Sequence, residues 1–156
     1  MSKAGVVGQF GSKEALQLAT VDAAAEIYRQ TIWEPAVRKP EGIARLRAIA
    51  RLWIDYLEED VFPGGCFLTA AAAEFDGRPC LVRDRIARTQ VLWERVLARE
   101  ARVAIEASDL VGDPAQVAFE MNAVAMAVNQ ARQLRADKQA GKRGRTAMKR
   151  ILGTAR

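Results

Sequence analysis

Two groups of carboxylates are the first residues in this sequence that could carry chemistry. Glu58, Glu59 and Asp60 follow one another, and Glu74 stands two positions before Asp76. Paired carboxylates can act as general acid and general base in catalysis. Successive charges near the end of a helix are more typical of a solvated surface. A solvated helix end is therefore the favoured interpretation, and catalysis is the weaker one.

A cysteine after two glycines is the other candidate for chemistry. Cys66 directly follows Gly64 and Gly65. Such a turn before a helix could bind phosphate, and a helix N-terminus can activate a thiol. The segment lacks the lysine and hydroxyl pattern of a P-loop. We favour a packed turn cysteine over a reactive thiol.

The composition excludes several kinds of site. The chain has 156 residues, two cysteines and no histidine. Catalytic triads, metal sites and general bases that need an imidazole are therefore impossible, and two cysteines cannot form the framework of a small disulfide-rich domain. No set of residues combines a nucleophile, a base and an oxyanion site. We expect a protein that is not an enzyme and has neither cofactor nor metal.

The net charge of +5 is unevenly distributed along the chain. Residues 132–156 contain nine basic side chains and one acidic side chain, whereas the preceding residues have a small acidic excess. A basic tail could bind nucleic acid. The favoured interpretation is the solvated face of a terminal helix.

The sequence shows no sign of secretion or membrane insertion. The first residues lack the basic start, long apolar run and cleavage site of a signal peptide. No window approaches eighteen uninterrupted apolar residues. We expect a cytoplasmic protein with reduced cysteines.

Helix-favouring residues dominate the chain, and its breaks fall where helices should end. Alanine is the commonest residue, and alternating strand-like runs are scarce. Ser12 is a suitable N-cap for the first long helix, and Asp113-Pro114 should open a later one. The pattern predicts an all-α bundle whose six helices cover residues 12 to about 35, 41–59, 66–75, 79–108, 114–135 and 137–152, with the first ended by Pro35 and Pro40.

The helix predicted at 114–135 is apolar on nearly all sides, which indicates burial on more than one side. One protomer could leave part of this surface for a two-fold partner. A central helix that its own bundle covers completely is the alternative. The homodimer is favoured, with a predicted interface of Met121, Val124, Ala125, Val128, Ala147 and Ile151.

The N-terminal residues resemble the end of the helix-turn-helix domain in the tetracycline-repressor (TetR) family. The matching positions are Ser2, Lys3, Val6, Phe10, Ser12, Lys13, Glu14 and Leu16. The segments TIWEPAV (31–37) and FPGGCFLTAAAAEFDGRPC (62–80) are similar to one subgroup of the family's ligand-binding domains. The resemblance thus extends through the whole chain.

The resemblance implies a short DNA-reading segment at 1–11 and a ligand-binding and dimerisation domain at 12–156. It makes Ser2, Lys3, Gln9 and Lys13 the candidate DNA contacts. The chain begins at the family's recognition helix and lacks the two helices that normally hold that helix in the major groove. Val7 and Gln9 also replace the usual tyrosine and histidine, which weakens the expected contacts to phosphate.

The implied function is transcriptional regulation, most simply repression, by a homodimer that binds operator DNA and a small hydrophobic or aromatic effector. Two alternatives remain: a truncated effector-binding and dimerisation module that does not bind DNA, and a small helical enzyme or carrier. For any single candidate pocket residue, ordinary core is the favoured interpretation. These candidates are Trp53, Tyr56, Leu57, Phe62, Phe67, Trp93, Leu97 and Phe119.

Overall fold

Every regular element in residues 10–153, which the computed structural model describes, is helical. The elements are α1 (Lys13–Tyr28), a π-helical turn (Arg29–Trp33), α2 (Glu34–Val37), α3 (Ile43–Glu58), α4 (Phe67–Phe75), α5 (Leu81–Glu106), α6 (Pro114–Arg135) and α7 (Ala140–Ile151). Because α1, the π turn and α2 follow one another without a gap, they form one continuous helix. The predicted all-α bundle of six helices is confirmed.

The predicted helix starts are confirmed by their hydrogen bonds. The hydroxyl of Ser12 accepts a hydrogen bond of 3.0 Å from the amide of Ala15 at the start of α1. The carboxylate of Asp113 accepts one of 2.8 Å from the amide of Gln116 at the start of α6. Each cap satisfies a backbone donor that has no partner inside its helix.

The first helix ends two residues beyond its predicted end at about residue 35, between the two prolines that were expected to bound it. Pro35 lies in the first turn of α2, directly after the π turn, and the helix ends at Val37. Inside this continuous helix Pro35 has no amide to donate, and it stands directly after the π turn, where the hydrogen-bond register changes. Pro40, not Pro35, therefore marks the boundary.

Helix α6 packs against α5 and α7, and α7 also packs against α3. The contact with α7 is close at Gly144, where a Cβ would lie 2.5 Å from Val128 Cγ2 and 2.9 Å from Ile54 Cδ1. Only glycine leaves enough room for the three helices to meet. The buried surface of α3 supplies much of the core through Leu46, Ile49, Trp53, Ile54 and Leu57.

A buried ion pair joins three parts of the bundle. Glu100 on α5 is 0% exposed, and its carboxylate accepts hydrogen bonds from Arg45 Nη1 at 2.8 Å and from the amide of Gly42 at 2.9 Å. Gly42 is the N-cap residue of α3, so Glu100 satisfies a backbone donor at the start of that helix. Arg45 also donates to the carbonyl of Lys39 and lies 5.7 Å from the ring centre of Trp33.

Within the described residues, no helix has the length and apolar character needed to cross a membrane.

We expect Glu100→Gln to lower the free energy of unfolding by about 3 kcal/mol, because it removes the completely buried partner of Arg45 and leaves only the half-exposed carboxylate of Glu41 at 3.4 Å. Urea denaturation followed by circular dichroism measures the change. The matched control is Glu106→Gln, which removes an exposed carboxylate from the same helix and should change stability by less than about 0.5 kcal/mol. Equal urea midpoints for Glu100→Gln and the wild type would contradict the role of the pair.

Candidate functional site

A cavity of about 420 Å³ lies among α1, the π turn, α3, α5 and α6, with α4 contributing at one side. Its aromatic lining consists of Tyr28, Trp33, Trp53 and Trp93, which include all three tryptophans of the chain. The other lining residues are Ala25, Arg29, Leu57, Cys66, Leu68, Thr69, Thr89, Gln90, Leu92, Val96, Asn122, Ala125 and Met126. The cavity is therefore mainly apolar, with a few neutral polar groups and one charged side chain, Arg29.

The aromatic side chains support one another through edge-to-face contacts. The ring centre of Tyr28 lies 6.0 Å from that of Trp53, 5.4 Å from Tyr56 and 5.2 Å from Trp93. Trp53 and Trp93 are 5.5 Å apart, and all four pairs are close to perpendicular. Such pairs add stability beyond the burial of their area. The cavity wall is thus held in a defined arrangement before any ligand arrives.

Two buried polar atoms belong to this wall. The hydroxyl of Tyr28 and the indole nitrogen of Trp93 have no hydrogen-bond partner in the described part of the chain. Burial raises the pKa of Tyr28, with nearby Cys66 adding to the effect, so its phenol stays neutral. A buried polar group without a partner destabilises a protein by about 1–3 kcal/mol. These two groups therefore lower the stability of the folded protein.

Arg29 is the one charged residue among those that line the cavity in the described structure. Its guanidinium contacts Glu26 at 2.7 Å and Glu34 at 2.9 Å, and all three side chains are about half exposed. The hydrogen bond from Arg29 lowers the pKa of Glu26 to about 2, so this carboxylate remains ionised. The positive charge at the cavity is consequently already paired.

The π turn determines which side chains of the first helix reach the cavity. Arg29 and Trp33 are its first and last residues, and both line the cavity. The amide of Glu34 donates to the carbonyl of Arg29, five residues earlier. Single π-helical turns are frequent at functional sites. This turn brings the two side chains to one side of the helix.

The loop before α4 is attached to α6 by a buried amide. Asn129 Oδ1 accepts a hydrogen bond of 2.9 Å from the amide of Cys66. Gly65 has a φ of 86°, and a Cβ there would collide with Asn129 and Gln133. The loop therefore requires glycine at this position. Cys66 is a buried turn residue at the cavity, and its amide is not free to bind phosphate.

The predicted pocket residues divide into three groups. Trp53, Leu57 and Trp93 line the cavity. Phe119 does not, because it lies on α6 with 64% of its surface exposed. The remaining four lie in or against the core without lining the cavity: Tyr56, Phe62, Phe67 and Leu97.

Sequence reasoning missed Tyr28 and Trp33. Both stand in the first helix, which was considered for its ends and its apolar spacing and not for its aromatic side chains. The segment TIWEPAV contains Trp33 and was the available signal. Tyr28 lies five positions earlier, directly before the π turn.

Most of the predicted interface residues on α6 are covered by their own chain. Met121, Ala125 and Val128 are buried, and Val124 is half-buried. Ala147 and Ile151 on α7 are half-buried as well. The exposed apolar surface of α6 is a different stripe at helical spacing, formed by Phe119, Ala123, Met126, Ala127 and Leu134.

Of the four candidate DNA contacts, the structure describes only Lys13. Ser2, Lys3 and Gln9 lie outside the described residues. Lys13 is the first residue of α1, and its side chain is exposed. It is therefore placed where it can reach an external partner.

The carboxylates considered for catalysis lie on the surface or in ion pairs. Glu58 pairs with Arg145, and Asp60 contacts Arg132 at 3.4 Å. Glu74 is exposed. No group of three or more metal-binding side chains occurs in residues 10–153.

Residues 42–148 match the family model described as the C-terminal domain of tetracycline-repressor-like proteins. Since this match covers more than half of the chain, the protein belongs to the tetracycline-repressor-like family of transcriptional regulators. The resemblance predicted from the motifs is confirmed.

Solved structures show the same fold at low sequence identity. A TetR transcriptional regulator from Chloroflexus aurantiacus J-10-FL superimposes with a TM-score of 0.82 at 20% identity, over 92% of this chain and 73% of that one. AibR, solved with isovaleryl coenzyme A and operator DNA, superimposes with a TM-score of 0.80 at 15% identity, over 97% of this chain and 81% of that one. The TetR-family regulator SCO4454 from Streptomyces coelicolor superimposes with a TM-score of 0.77 at 19% identity, over 97% of this chain and 77% of that one. A search of curated protein sequences gave no match.

We expect Tyr28→Phe to stabilise the protein by about 1 kcal/mol, because it removes a buried hydroxyl that lacks a partner and retains the ring. Urea unfolding measures the difference. The other tyrosine provides the control: its hydroxyl is not one of the partnerless buried atoms, so Tyr56→Phe should give no such gain. A clear loss of stability in Tyr28→Phe would show that its hydroxyl does have a hydrogen-bond partner.

Proposed function

We propose that this chain is a TetR-like transcriptional regulator, acting as a repressor in the cytoplasm, whose helical domain binds a small, uncharged, apolar or aromatic effector. In this proposal, residues 12–156 form the ligand-binding and dimerisation domain. The observation that carries it is the convergence of Tyr28 and all three tryptophans on one cavity.

The electrostatics of the cavity support an uncharged effector. Among the described residues, Arg29 supplies the only cation of its lining, and Glu26 and Glu34 already neutralise it. AibR was solved with a thioester of coenzyme A, whose phosphates carry several negative charges. A cavity of about 420 Å³ without an unpaired lining cation is better suited to a smaller neutral molecule.

The continuity of the first helix supports a route from effector to DNA. Arg29 and Trp33 contact the cavity, and Lys13 starts the same continuous helix. A ligand that binds one position of this helix more tightly than another would shift the helix and the DNA-reading segment before it. The neutral polar groups of the lining would orient such a ligand.

The exposed stripe on α6 supports a homodimer. Phe119, Ala123, Met126, Ala127 and Leu134 form an apolar surface that the described part of the chain leaves open. A second copy could cover this stripe, together with the half-buried predicted residues Val124, Ala147 and Ile151.

The proposal includes binding of operator DNA by this chain itself. The alternative is a module that dimerises and binds effector without binding DNA. A mobility-shift assay with the 156-residue chain and candidate operators distinguishes the two. Specific, effector-sensitive binding would exclude the alternative.

We expect neutral aromatic ligands to quench or shift the tryptophan fluorescence, and Ala25→Leu to weaken their binding about tenfold or more. Ala25 lines the cavity, and a leucine there would occupy part of the ligand's volume, with steric costs of about 1–3 kcal/mol. Fluorescence titration with a panel of hydrophobic ligands measures this directly, because every tryptophan reports on the cavity.

Ala23→Leu is the matched control for this experiment. It adds the same atoms to the same helix at an exposed position, so ligand affinity should not change. The proposal fails if no ligand in the panel alters the fluorescence, or if both variants bind a responding ligand as the wild type does.

We expect Phe119→Arg to shift the protein from dimer to monomer. Removing a buried aromatic side chain from an interface costs about 2 kcal/mol, roughly a thirtyfold increase in the dissociation constant. Sedimentation velocity over a range of concentrations measures the change. Leu81→Arg alters an exposed apolar residue on α5 and should leave the dimer intact. An unchanged dimer in Phe119→Arg would exclude this stripe from the interface.

A further inference from the structure

A second recess, of about 590 Å³, lies between α3 and α7 on a different part of the molecule. Its floor is apolar and consists of Ala50, Met148 and Leu152, which are 6%, 2% and 1% exposed. Its rim is strongly basic: Arg47 and Arg51 extend from α3, and Arg145 and Lys149 extend from α7. We call this recess the α3–α7 groove.

Two of the four cations at the rim are neutralised by acids. Asp55 accepts hydrogen bonds from Arg51 at 3.1 Å and from Arg145 at 2.7 Å. Arg145 also pairs with Glu58, and these two carboxylates raise its pKa. In the part of the chain that the structure describes, Asp55 is the one acid that lines the groove. Arg51 and Arg145 therefore contribute no net charge once both acids are counted.

The other two cations retain their charge. Within the described residues, neither Arg47 nor Lys149 forms an ion pair. The guanidinium of Arg47 reaches only the carbonyls of Leu152 and Gly153, each at 3.4 Å. Arg47 stands on α3 and Lys149 on α7, so their charges flank the apolar floor from its two sides.

We propose that the α3–α7 groove binds a free anionic amphiphile, a molecule with one carboxylate or similar head group and an alkyl chain. The head group would be held by Arg47 and Lys149, and the chain would cover the apolar floor. Apolar burial and a charge-assisted contact then act together. A single molecule fits a recess between two helices better than a membrane surface does, because basic side chains flank the recess from two helices.

This site is chemically distinct from the effector cavity and does not depend on it. In residues 10–153, the only lining cation of the cavity is paired with two acids, whereas two cations of the groove form no ion pair. The two sites should therefore select different ligands: neutral molecules at the cavity and anions at the groove. A negative result at one site therefore does not affect the proposal for the other site.

The methionines allow each site to be observed separately. Met148 lies in the floor of the groove, Met126 lines the effector cavity, and Met121 is completely buried in the core. In the full chain labelled with [methyl-13C]methionine, we expect decanoate to shift the Met148 methyl signal in a saturable manner and to leave Met121 unchanged. The variants Met148→Leu and Met126→Leu assign the signals.

Charge dependence is tested with one neutral ligand and two protein variants. Decanol has the same chain without the charge and should shift Met148 far less. Lys149→Gln should weaken decanoate binding about fivefold at low salt, the upper effect of one exposed ion pair. Lys142→Gln removes an exposed charge from the same helix outside the groove and should bind decanoate as the wild type does.

Several results would overturn the proposal. Met148 could remain unshifted by decanoate, decanol could shift it equally, or Lys142→Gln could weaken binding as much as Lys149→Gln. A response to anionic lipid vesicles without a response to decanoate would assign the groove to a membrane surface. A Met148 signal that changes on dilution without ligand would assign it to a second copy of the chain.

Discussion

The arrangement of this bundle depends on the hydrogen bonds that the buried carboxylate of Glu100 accepts. It neutralises Arg45, caps the start of α3 through Gly42, and lies on α5, so three chain segments meet at one charged group. Arg45 in turn lies over Trp33, a wall residue of the cavity. A buried charge needs a partner in a fixed geometry. The polar junction therefore also positions the aromatic wall.

The same electrostatic rule separates the two recesses of the molecule. Arg29 at the cavity is paired with neighbours on its own helix, and the site presents aromatic surface without a spare charge. In the α3–α7 groove, Asp55 and Glu58 neutralise two of four cations. The difference between a neutral and an anionic ligand thus depends on which carboxylates stand beside which guanidinium groups.

Local patterns predicted most of the fold and part of the site. Ser12 and Asp113 mark helix starts because a cap acts within three residues of itself. Trp53 and Trp93 were predicted for the pocket because aromatic residues on inward helix faces meet in the core. Tyr28 and Trp33 were missed because the apolar spacing of the first helix was followed without its aromatic side chains. Only the packed bundle shows that both face the same cavity.

By itself, the sequence determined the six-helix architecture, the family, and the absence of any imidazole chemistry, because these follow from composition, caps and short motifs. Only the tertiary structure decided which face of α6 stays open. Met121 and Phe119 are both apolar, yet Met121 is buried and Phe119 exposed. The tertiary structure also joined Glu100 to Arg45 across 55 positions. Such choices depend on how whole helices pack, and helical spacing defines the faces without saying what covers them.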